Sequence, residues 1–229
     1  MVRPAMTSLR AIIRPEIKND DFHNALFFQA RNASIETVLE IGASSGAGST
    51  EALARGIAKN PAHPVLYTLE CSRARFQKLA ARYRRRTDVK PYNMSSVALA
   101  DFPGEEEVRN FYHARKTGLN RVPEEKVIGW LRQDIAYLAE DRIPEGGIAH
   151  IKAENNIASF GLVLIDGSEF TGRAELELVY GAAIIALDDI MTFKNFDNHR
   201  RLLNDPAYEI CAMNRYLRNV YSIFVRKEP

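Results

Sequence analysis

Cysteine is scarce in this sequence, which contains only Cys71 and Cys211 among its 229 residues. Two cysteines so far apart form neither a disulfide framework nor the closely spaced ligands of a metal site, so we expect a reducing compartment. Long apolar runs are also missing. None approaches the roughly 20 residues of a membrane-spanning helix, and the N-terminus lacks the apolar core of a signal peptide. These absences predict a cytoplasmic protein with no membrane partner.

An excess of charge of either sign is missing as well, because 31 basic residues face 29 acidic ones for a formal net charge of +2. Proteins that bind nucleic acid neutralise several phosphates at once, so we expect no nucleic-acid partner. The basic run at residues 82–86 is typical of an exposed helix end, where cations complement the helix dipole. With 46% hydrophobic residues, the chain can bury the core of a single domain over residues 1–229.

What the sequence does contain is a glycine-rich turn between a short apolar strand and a helix. The strand, residues 38–41, includes the acidic Glu40, and Gly42, Gly46 and Gly48 follow it before a helical pattern at residues 49–58. Glycine permits positive φ and a close approach of the backbone to a ligand. The N-terminus of a helix offers N–H groups and a positive dipole end to a pyrophosphate or carboxylate. The pattern predicts a site for a nucleotide-type cofactor.

Acidic residues end three further apolar runs. Glu70 directly follows the apolar run at residues 65–69. A doubly wound fold places at this position the carboxylate that accepts hydrogen bonds from ribose hydroxyls. Asp166 follows one nearly continuous apolar run, and Asp188 and Asp189 follow the next. Such runs are typical of central parallel strands. We therefore expect these acids at the same carboxyl edge of the sheet as Gly42.

The remaining pattern completes the predicted architecture. Residues 208–213 and 220–226 read as two strands so close in sequence that they must pair antiparallel. Residues 1–36 predict an N-terminal helical cap, and residues 103–151 are longer than one crossover needs and predict an insertion or lid. We expect an α/β, Rossmann-like, seven-stranded and mostly parallel sheet, with a C-terminal antiparallel hairpin and helices on both faces.

The motifs resemble those of a known family. The segment from Glu40 to Thr50 is similar to the first motif of class I S-adenosylmethionine-dependent methyltransferases, where an acidic residue precedes the glycines. The strand ends at residues 164–167 (LIDG) and 186–190 (ALDDI) resemble those of FkbM-type and related small-molecule O-methyltransferases. The resemblance covers about residues 38–225. It implies S-adenosylmethionine as cofactor and O-methylation of a hydroxylated small molecule.

The resemblance also implies roles for individual residues. The cofactor would be bound by Glu40, Gly42, Ala43, Ser44, Gly46, Ser49, Thr50, Glu70, Cys71, Ser95 and Ser96. Asp166, Asp188 and Asp189 would hold a divalent ion such as Mg²⁺, which binds paired hydroxyls and lowers the pKa of the attacked one. Without a metal, a side chain would act as base. The candidates for catalysis are Asp166, Asp188 and His199, with Lys194 and Glu169 as further candidate bases.

Two alternatives stay open. The turn from Gly42 to Gly48 also resembles that of NAD(P)-dependent short-chain oxidoreductases, and Tyr112 and Lys116 have the Tyr-x-x-x-Lys spacing of that family. Tyr112 lies in a charged stretch, however, which favours an exposed helix. A non-catalytic cofactor-binding module is the second alternative, because Ser168 and Glu169 differ from the family pattern. The sequence is compatible with a monomer and with a homo-oligomer, and it leaves the methyl acceptor open.

Overall fold

A computed structural model describes residues 9–227, so the predicted cap at residues 1–36 lies partly outside the described chain. The helices are α1 (Asp21–Ala30), α2 (Ser49–Ile57), α3 (Arg73–Tyr83), α4 (Glu105–Ala114), α5 (Glu124–Glu140), α6 (Gly147–Glu154), α7 (Gly172–Val179) and α8 (Phe196–Leu203). The strands are β1 (Thr37–Ile41), β2 (Val65–Leu69), β3 (Val89–Tyr92), β4 (Leu162–Ile165), β5 (Ile184–Leu187), β6 (Tyr208–Asn214) and β7 (Tyr221–Arg226).

The seven strands form one sheet in the order β3-β2-β1-β4-β5-β7-β6. The first five strands of this order are parallel, whereas β7 pairs antiparallel with both β5 and β6. This confirms the predicted fold class, including the C-terminal hairpin. The register sets Ile41 beside Leu69 and Ile165, and Ile165 beside Leu187. The residues that follow β1, β2, β4 and β5 therefore meet at one edge.

The central strands are buried on both faces, which explains their nearly continuous apolar sequences. Alternate residues point to opposite sides of the sheet. Val38 and Leu164 belong to a core cluster with α1, α2 and α3, whereas Leu39 and Val163 belong to a second cluster with α6, α7 and α8. Two helical layers thus enclose the sheet and hold its carboxyl edge in place.

The N-terminal region is only partly helical. Helix α1 begins after Asp20, whose side chain accepts from the His23 N–H at 2.8 Å, as an N-cap does. Residues 9–20 are turns and bends, and we call them the strap. Ser72 Oγ donates to the carbonyl of Leu9, and Arg75 Nε donates to that of Ala11 at 2.9 Å. The strap therefore crosses the carboxyl edge of the sheet at the end of β2.

The insertion packs over the ends of β4 and β5. The Phe111 ring of α4 lies 4.9 Å from that of Phe193 and 5.7 Å from that of Phe196. Ile148 and Ile151 of α6, at the end of the predicted insertion, belong to the core cluster with α7 and α8. Among the described helices, none combines the length and the apolar character that crossing a membrane requires.

Candidate functional site

The glycine turn after β1 depends on glycine at two positions. Gly42 has φ +91°, and a Cβ there would lie 2.6 Å from the carbonyl carbon of Asp166 and closer still to its oxygen. Gly46 has φ +72°, and a Cβ there would lie 2.7 Å from Leu79 Cδ1. Tyr83 donates its hydroxyl to the Gly46 carbonyl at 2.8 Å. Both glycines therefore allow neighbouring elements to approach the turn closely.

The residues between these glycines adopt a tight conformation. The N–H groups of Gly42 and Ala43 both donate to the Leu69 carbonyl at 3.0 Å, which ties the turn to the end of β2. Ser44 has φ +49°, and its buried hydroxyl has no hydrogen-bond partner within residues 9–227. Helix α2 begins after Gly48 without a side-chain cap. Its first turn thus offers backbone N–H groups at this edge.

Glu40 is the most unusual group at the turn, because its side chain is 0% exposed. Burial raises its pKa from an ordinary 4.5 to about 7. The nearby hydroxyls of Ser49 and Thr50 oppose this rise, but neither carboxylate oxygen accepts a hydrogen bond of ordinary geometry among the described residues. A buried carboxylate without a donor is costly. The site therefore fits a ligand that brings a cationic donor to Glu40.

Glu70 lies at the end of β2, as predicted, and is also buried. Its Oε1 accepts from the Ser72 N–H at 2.7 Å. Burial raises the pKa of Glu70, while Arg75 and the backbone N–H groups of Ser72 and Ser44 oppose the rise. The adjacent Cys71 is half-buried, and burial raises the pKa of its thiol. Glu70 thus joins the turns that follow β1 and β2.

Ser95 and Ser96 follow β3 and are buried. Ser96 Oγ donates to Glu175 Oε1 of α7 at 2.6 Å, and Thr171 Oγ1 donates to the same oxygen at 2.7 Å. The other carboxylate oxygen of Glu175 has no partner in the described chain, and burial raises the pKa of this group. Glu175 was not among the predicted site residues, because a glutamate inside a helical pattern has no local mark of burial.

The acids after β4 and β5 meet, as the apolar runs predicted. Asp166, Asp188 and Asp189 each place one carboxylate oxygen within 4.8 Å of the others. We call these three residues the acidic cluster. Lys194 lies among them, with its Nζ 2.7 Å from Asp166 Oδ1 and 2.9 Å from Asp189 Oδ2. In this structure Lys194 is an ion-pair partner, although its position in the sequence suggested a candidate base.

The turn between β6 and β7 supplies further partners to the cluster. Asn219 Nδ2 donates to Asp189 Oδ1 at 3.0 Å, and Arg218 Nη2 lies 3.5 Å from Asp188 Oδ1. Asp188 Oδ2 has no partner in the described chain. Burial raises the pKa of Asp188 well above its ordinary value, and the charges of Asp189 and Asp166 raise it further. Burial also raises the pKa of Asp166, against the charge of Lys194.

Asp166 differs from the other two acids in its access to solvent. Its side chain is 18% exposed, compared with 2% for Asp188 and 0% for Asp189. A cleft of about 250 Å³ lies nearby between α4, α7 and α8, and Phe111, Phe193 and Lys194 contribute to its lining. Within the cluster, Asp166 is therefore the group that a small molecule reaches most easily.

The other predicted bases are placed differently. His199 lies on α8 with its Nδ1 3.0 Å from Ser222 Oγ of β7, and burial lowers its pKa. Its contact is thus with the hairpin and not with the acidic cluster. Glu169 Oε1 accepts from the backbone N–H of Lys194 at 3.3 Å, so it holds the loop that carries Lys194. The geometry gives neither residue a direct place beside Asp166.

Asp134 is a buried acid that the sequence analysis missed. It lies on α5 of the insertion, and Ser168 Oγ donates to its Oδ2 at 2.8 Å. Burial raises the pKa of Asp134 to about 6, and the Ser168 hydroxyl opposes the rise. The insertion therefore sends a carboxylate to the loop after β4. No sequence pattern in the insertion marks this contact.

Tyr112 serves the packing of the insertion. It lies in α4 and donates its hydroxyl to the Val122 carbonyl at 2.9 Å. Its ring packs against the hydrophobic cluster between α4 and α5 that includes Val108 and Leu131. Lys116 is exposed beyond the end of the same helix. In a short-chain oxidoreductase these two side chains would act together beside the cofactor. Their position in the insertion gives the nicotinamide alternative no geometric support.

No protein-family model matches the sequence, and no curated protein matches it either. Solved structures do match in fold. An O-methyltransferase from Bacillus cereus in complex with SAH shares 14% identity over 93% of this chain and 84% of that protein, with a TM-score of 0.52.

Two further structures have the same fold. A methyltransferase from Geobacter sulfurreducens shares 11% identity over 92% and 82% of the two chains, with a TM-score of 0.54. An O-methyltransferase from Streptomyces achromogenes, involved in tomaymycin synthesis and in complex with SAM, shares 14% over 90% and 80%, with a TM-score of 0.52. At these identities the similarity establishes architecture alone. The chain has the Rossmann-like α/β fold of these methyltransferase structures.

Proposed function

We propose that this chain is an S-adenosylmethionine-dependent methyltransferase that methylates an oxygen of a hydroxylated small molecule. The observation that carries the proposal is Glu40, a fully buried carboxylate beneath the glycine turn whose oxygens accept no well-formed hydrogen bond from residues 9–227. The amino group of the cofactor's methionine end is a donor of the required charge. The shared fold with two O-methyltransferases, one in complex with SAH and one with SAM, supports this assignment.

The cofactor would lie across the turns after β1, β2 and β3. Glu40 would accept from its ammonium, and the N–H groups at the start of α2 would bind its carboxylate. Glu70 would accept from ribose hydroxyls, since a carboxylate can accept from two neighbouring hydroxyls at once. Ser95 and Ser96 follow β3, on the side of the adenine. When bound, the cofactor supplies a methyl group activated by a sulfonium.

The acidic cluster would act on the methyl acceptor. Methyl transfer is an in-line displacement, so the protein must bring the acceptor oxygen close and remove its proton. Asp166 is the most exposed acid of the cluster, and we assign it as the group that takes this proton. Asp188 and Asp189 are buried, and the negative charge of Asp189 would raise the proton affinity of Asp166. The cleft beside Lys194 provides space for a small acceptor.

A divalent ion is the finer point of the proposal. The three acids offer the oxygen ligands that Mg²⁺ prefers. The Lys194 ammonium, however, already bonds two of the three acids. The cluster as it stands therefore does not fit a divalent ion. Metal assistance, which the sequence predicted, would require Lys194 to leave the cluster.

The other expectations from the sequence belong to this proposal. A cytoplasmic location, the absence of a nucleic-acid partner and a place in the FkbM-type subgroup stay predictions. Either a monomer or a homo-oligomer is compatible with the assigned reaction. A non-catalytic cofactor-binding module remains the alternative, and it differs in one respect: it would bind the cofactor without transferring its methyl group.

The test is a calorimetric titration with S-adenosylhomocysteine, with NAD⁺ and NADP⁺ in parallel. We expect micromolar binding of S-adenosylhomocysteine and none of the nicotinamides. Formation of S-adenosylhomocysteine from S-adenosylmethionine is then measured across a panel of phenols, sugars and other hydroxylated acceptors. Nicotinamide binding would contradict the assignment and return attention to Tyr112. Cofactor binding without turnover on any acceptor would favour the non-catalytic module.

A further inference from the structure

The acidic cluster brings three carboxylates together in the interior, which needs compensating charge. Lys194 is the closest cation. Its side chain is 4% exposed, and it bonds Asp166, at 18% exposure, and Asp189, at 0%. The second cation, Arg218, approaches Asp188 from the hairpin turn and also pairs with Asp20 at the end of the strap. The cluster thus contains two cations from the chain itself.

The backbone around Lys194 holds its ammonium in this position. Thr192 donates from both its N–H and its hydroxyl to the Asp189 carbonyl, at 3.1 and 3.0 Å, which folds the loop back on itself. The Lys194 N–H donates to Glu169 Oε1 at 3.3 Å. The Asn195 amide donates to the carbonyl of Asp188 at 2.7 Å. Because the loop is bonded before, at and after Lys194, its side chain is directed into the cluster.

The loop that carries Lys194 also packs closely against the start of α7. A Cβ on Gly172 would lie 2.9 Å from the carbonyl carbon of Lys194, so only glycine allows this approach. Asn195 also donates to the carbonyl of Ile165 at 3.1 Å, which joins the loop to the end of β4. Movement of the Lys194 backbone away from the cluster would therefore require the loop to separate from both β4 and α7.

We propose that Lys194 is the permanent cation of the acidic cluster and takes the place that a divalent ion would need. An ammonium between Asp166 and Asp189 repels a second cation, and Asn219 occupies the other oxygen of Asp189. Arg218 Nη2 lies 3.5 Å from Asp188 Oδ1, so a divalent ion would compete with two cations of the chain for the same carboxylates. If the proposed function holds, methyl transfer then proceeds without added metal.

The test is a titration of the full chain with Mn²⁺, followed by electron paramagnetic resonance of the free ion. Three proteins are compared: the unmodified chain, Lys194→Met, and Lys126→Met as a control at an exposed lysine of α5. We expect no saturable Mn²⁺ site in the unmodified chain and in the control. Lys194→Met should bind one ion, with affinity at least about tenfold higher, because it keeps the carboxylates and loses the ammonium.

Other outcomes have defined meanings. One saturable Mn²⁺ site in the unmodified chain that disappears in Asp189→Asn would overturn the proposal, as would a folded Lys194→Met that gains no site. If Lys194→Met does not fold, the unmodified chain and Asp189→Asn decide alone. Titration with S-adenosylhomocysteine on the same samples separates the two proposals, because loss of that binding contradicts the cofactor assignment and leaves the Mn²⁺ result valid.

Discussion

Replacement of Glu40 by glutamine should stabilise the protein without ligand and weaken cofactor binding at the same time. The buried carboxyl has its pKa raised from 4.5 to about 7, so the folded state binds the proton more tightly than the unfolded state. The associated stability is present below pH 4.5 and is lost as the pH rises through 7. The full loss corresponds to about 3 kcal/mol. Glutamine has a similar shape and no charge, so it avoids this loss.

The stability effect is measured by urea unfolding at pH 5 and pH 8. The two proteins should be nearly equal at pH 5, and Glu40→Gln should be more stable at pH 8 by up to about 3 kcal/mol. Glu106→Gln, which changes an exposed glutamate of α4, is the matched control and should show no such gain. A Glu40→Gln protein that is equally stable or less stable than the unmodified chain at pH 8 would refute the assignment of an unpaired buried charge.

The binding effect has the opposite sign. The ammonium of S-adenosylhomocysteine should bind the ionised form of Glu40, so affinity should rise from pH 6 to pH 8, with up to about tenfold change per pH unit below 7. A charge-assisted hydrogen bond contributes about 1.5–3 kcal/mol, so Glu40→Gln should bind about 10- to 100-fold more weakly and lose most of the pH dependence. Calorimetry at both pH values measures this, and equal affinities of the two proteins at pH 8 would contradict the role of Glu40.

Four further substitutions have predicted outcomes. Gly42→Ala should abolish folding, because its Cβ would overlap the Asp166 carbonyl. Its control is Gly129→Ala on α5, where the added Cβ meets open space and should stabilise the folded protein by about 0.5–1 kcal/mol. Thermal unfolding compares the two variants. Asp166→Ala should abolish methyl transfer and leave S-adenosylhomocysteine affinity nearly unchanged; an equal loss of binding would place Asp166 in the cofactor site. Tyr112→Phe removes one hydrogen bond and should lower the free energy of unfolding by about 1 kcal/mol. Its methyl-transfer turnover should be unchanged, and a loss of turnover would favour the oxidoreductase alternative.

The fold was predictable because its signals are local. Nearly continuous apolar runs identify the central strands, and the short connection near Asn214 requires an antiparallel hairpin. The turn after β1 was predictable for the same reason, since Glu40, Gly42 and Gly46 lie within seven residues. The exact ends of elements are less local: the strands predicted at residues 208–213 and 220–226 are Tyr208–Asn214 and Tyr221–Arg226.

The composition of the site was only partly predictable. The acids at the strand ends were found, because parallel strands bring their carboxyl ends to one edge. Their partners were not. Asp134 reaches Ser168 across 34 residues of sequence, and Lys194 reaches Asp166 across 28. Neither contact has a sequence signal, since each depends on how the insertion and the loop after β5 fold back.

The sequence by itself determined the order of strands and helices, the position of the glycine turn and the edge to which Glu40, Glu70 and the acidic cluster belong. These follow from hydrophobic periodicity and from glycine spacing, which act over a few residues. Only the tertiary structure decided that Glu40 is fully buried with no well-formed hydrogen bond from the part of the chain it describes, and that Lys194 occupies the acidic cluster. Burial and ion pairing are decided by side chains from distant segments, and a linear pattern does not specify which of them meet.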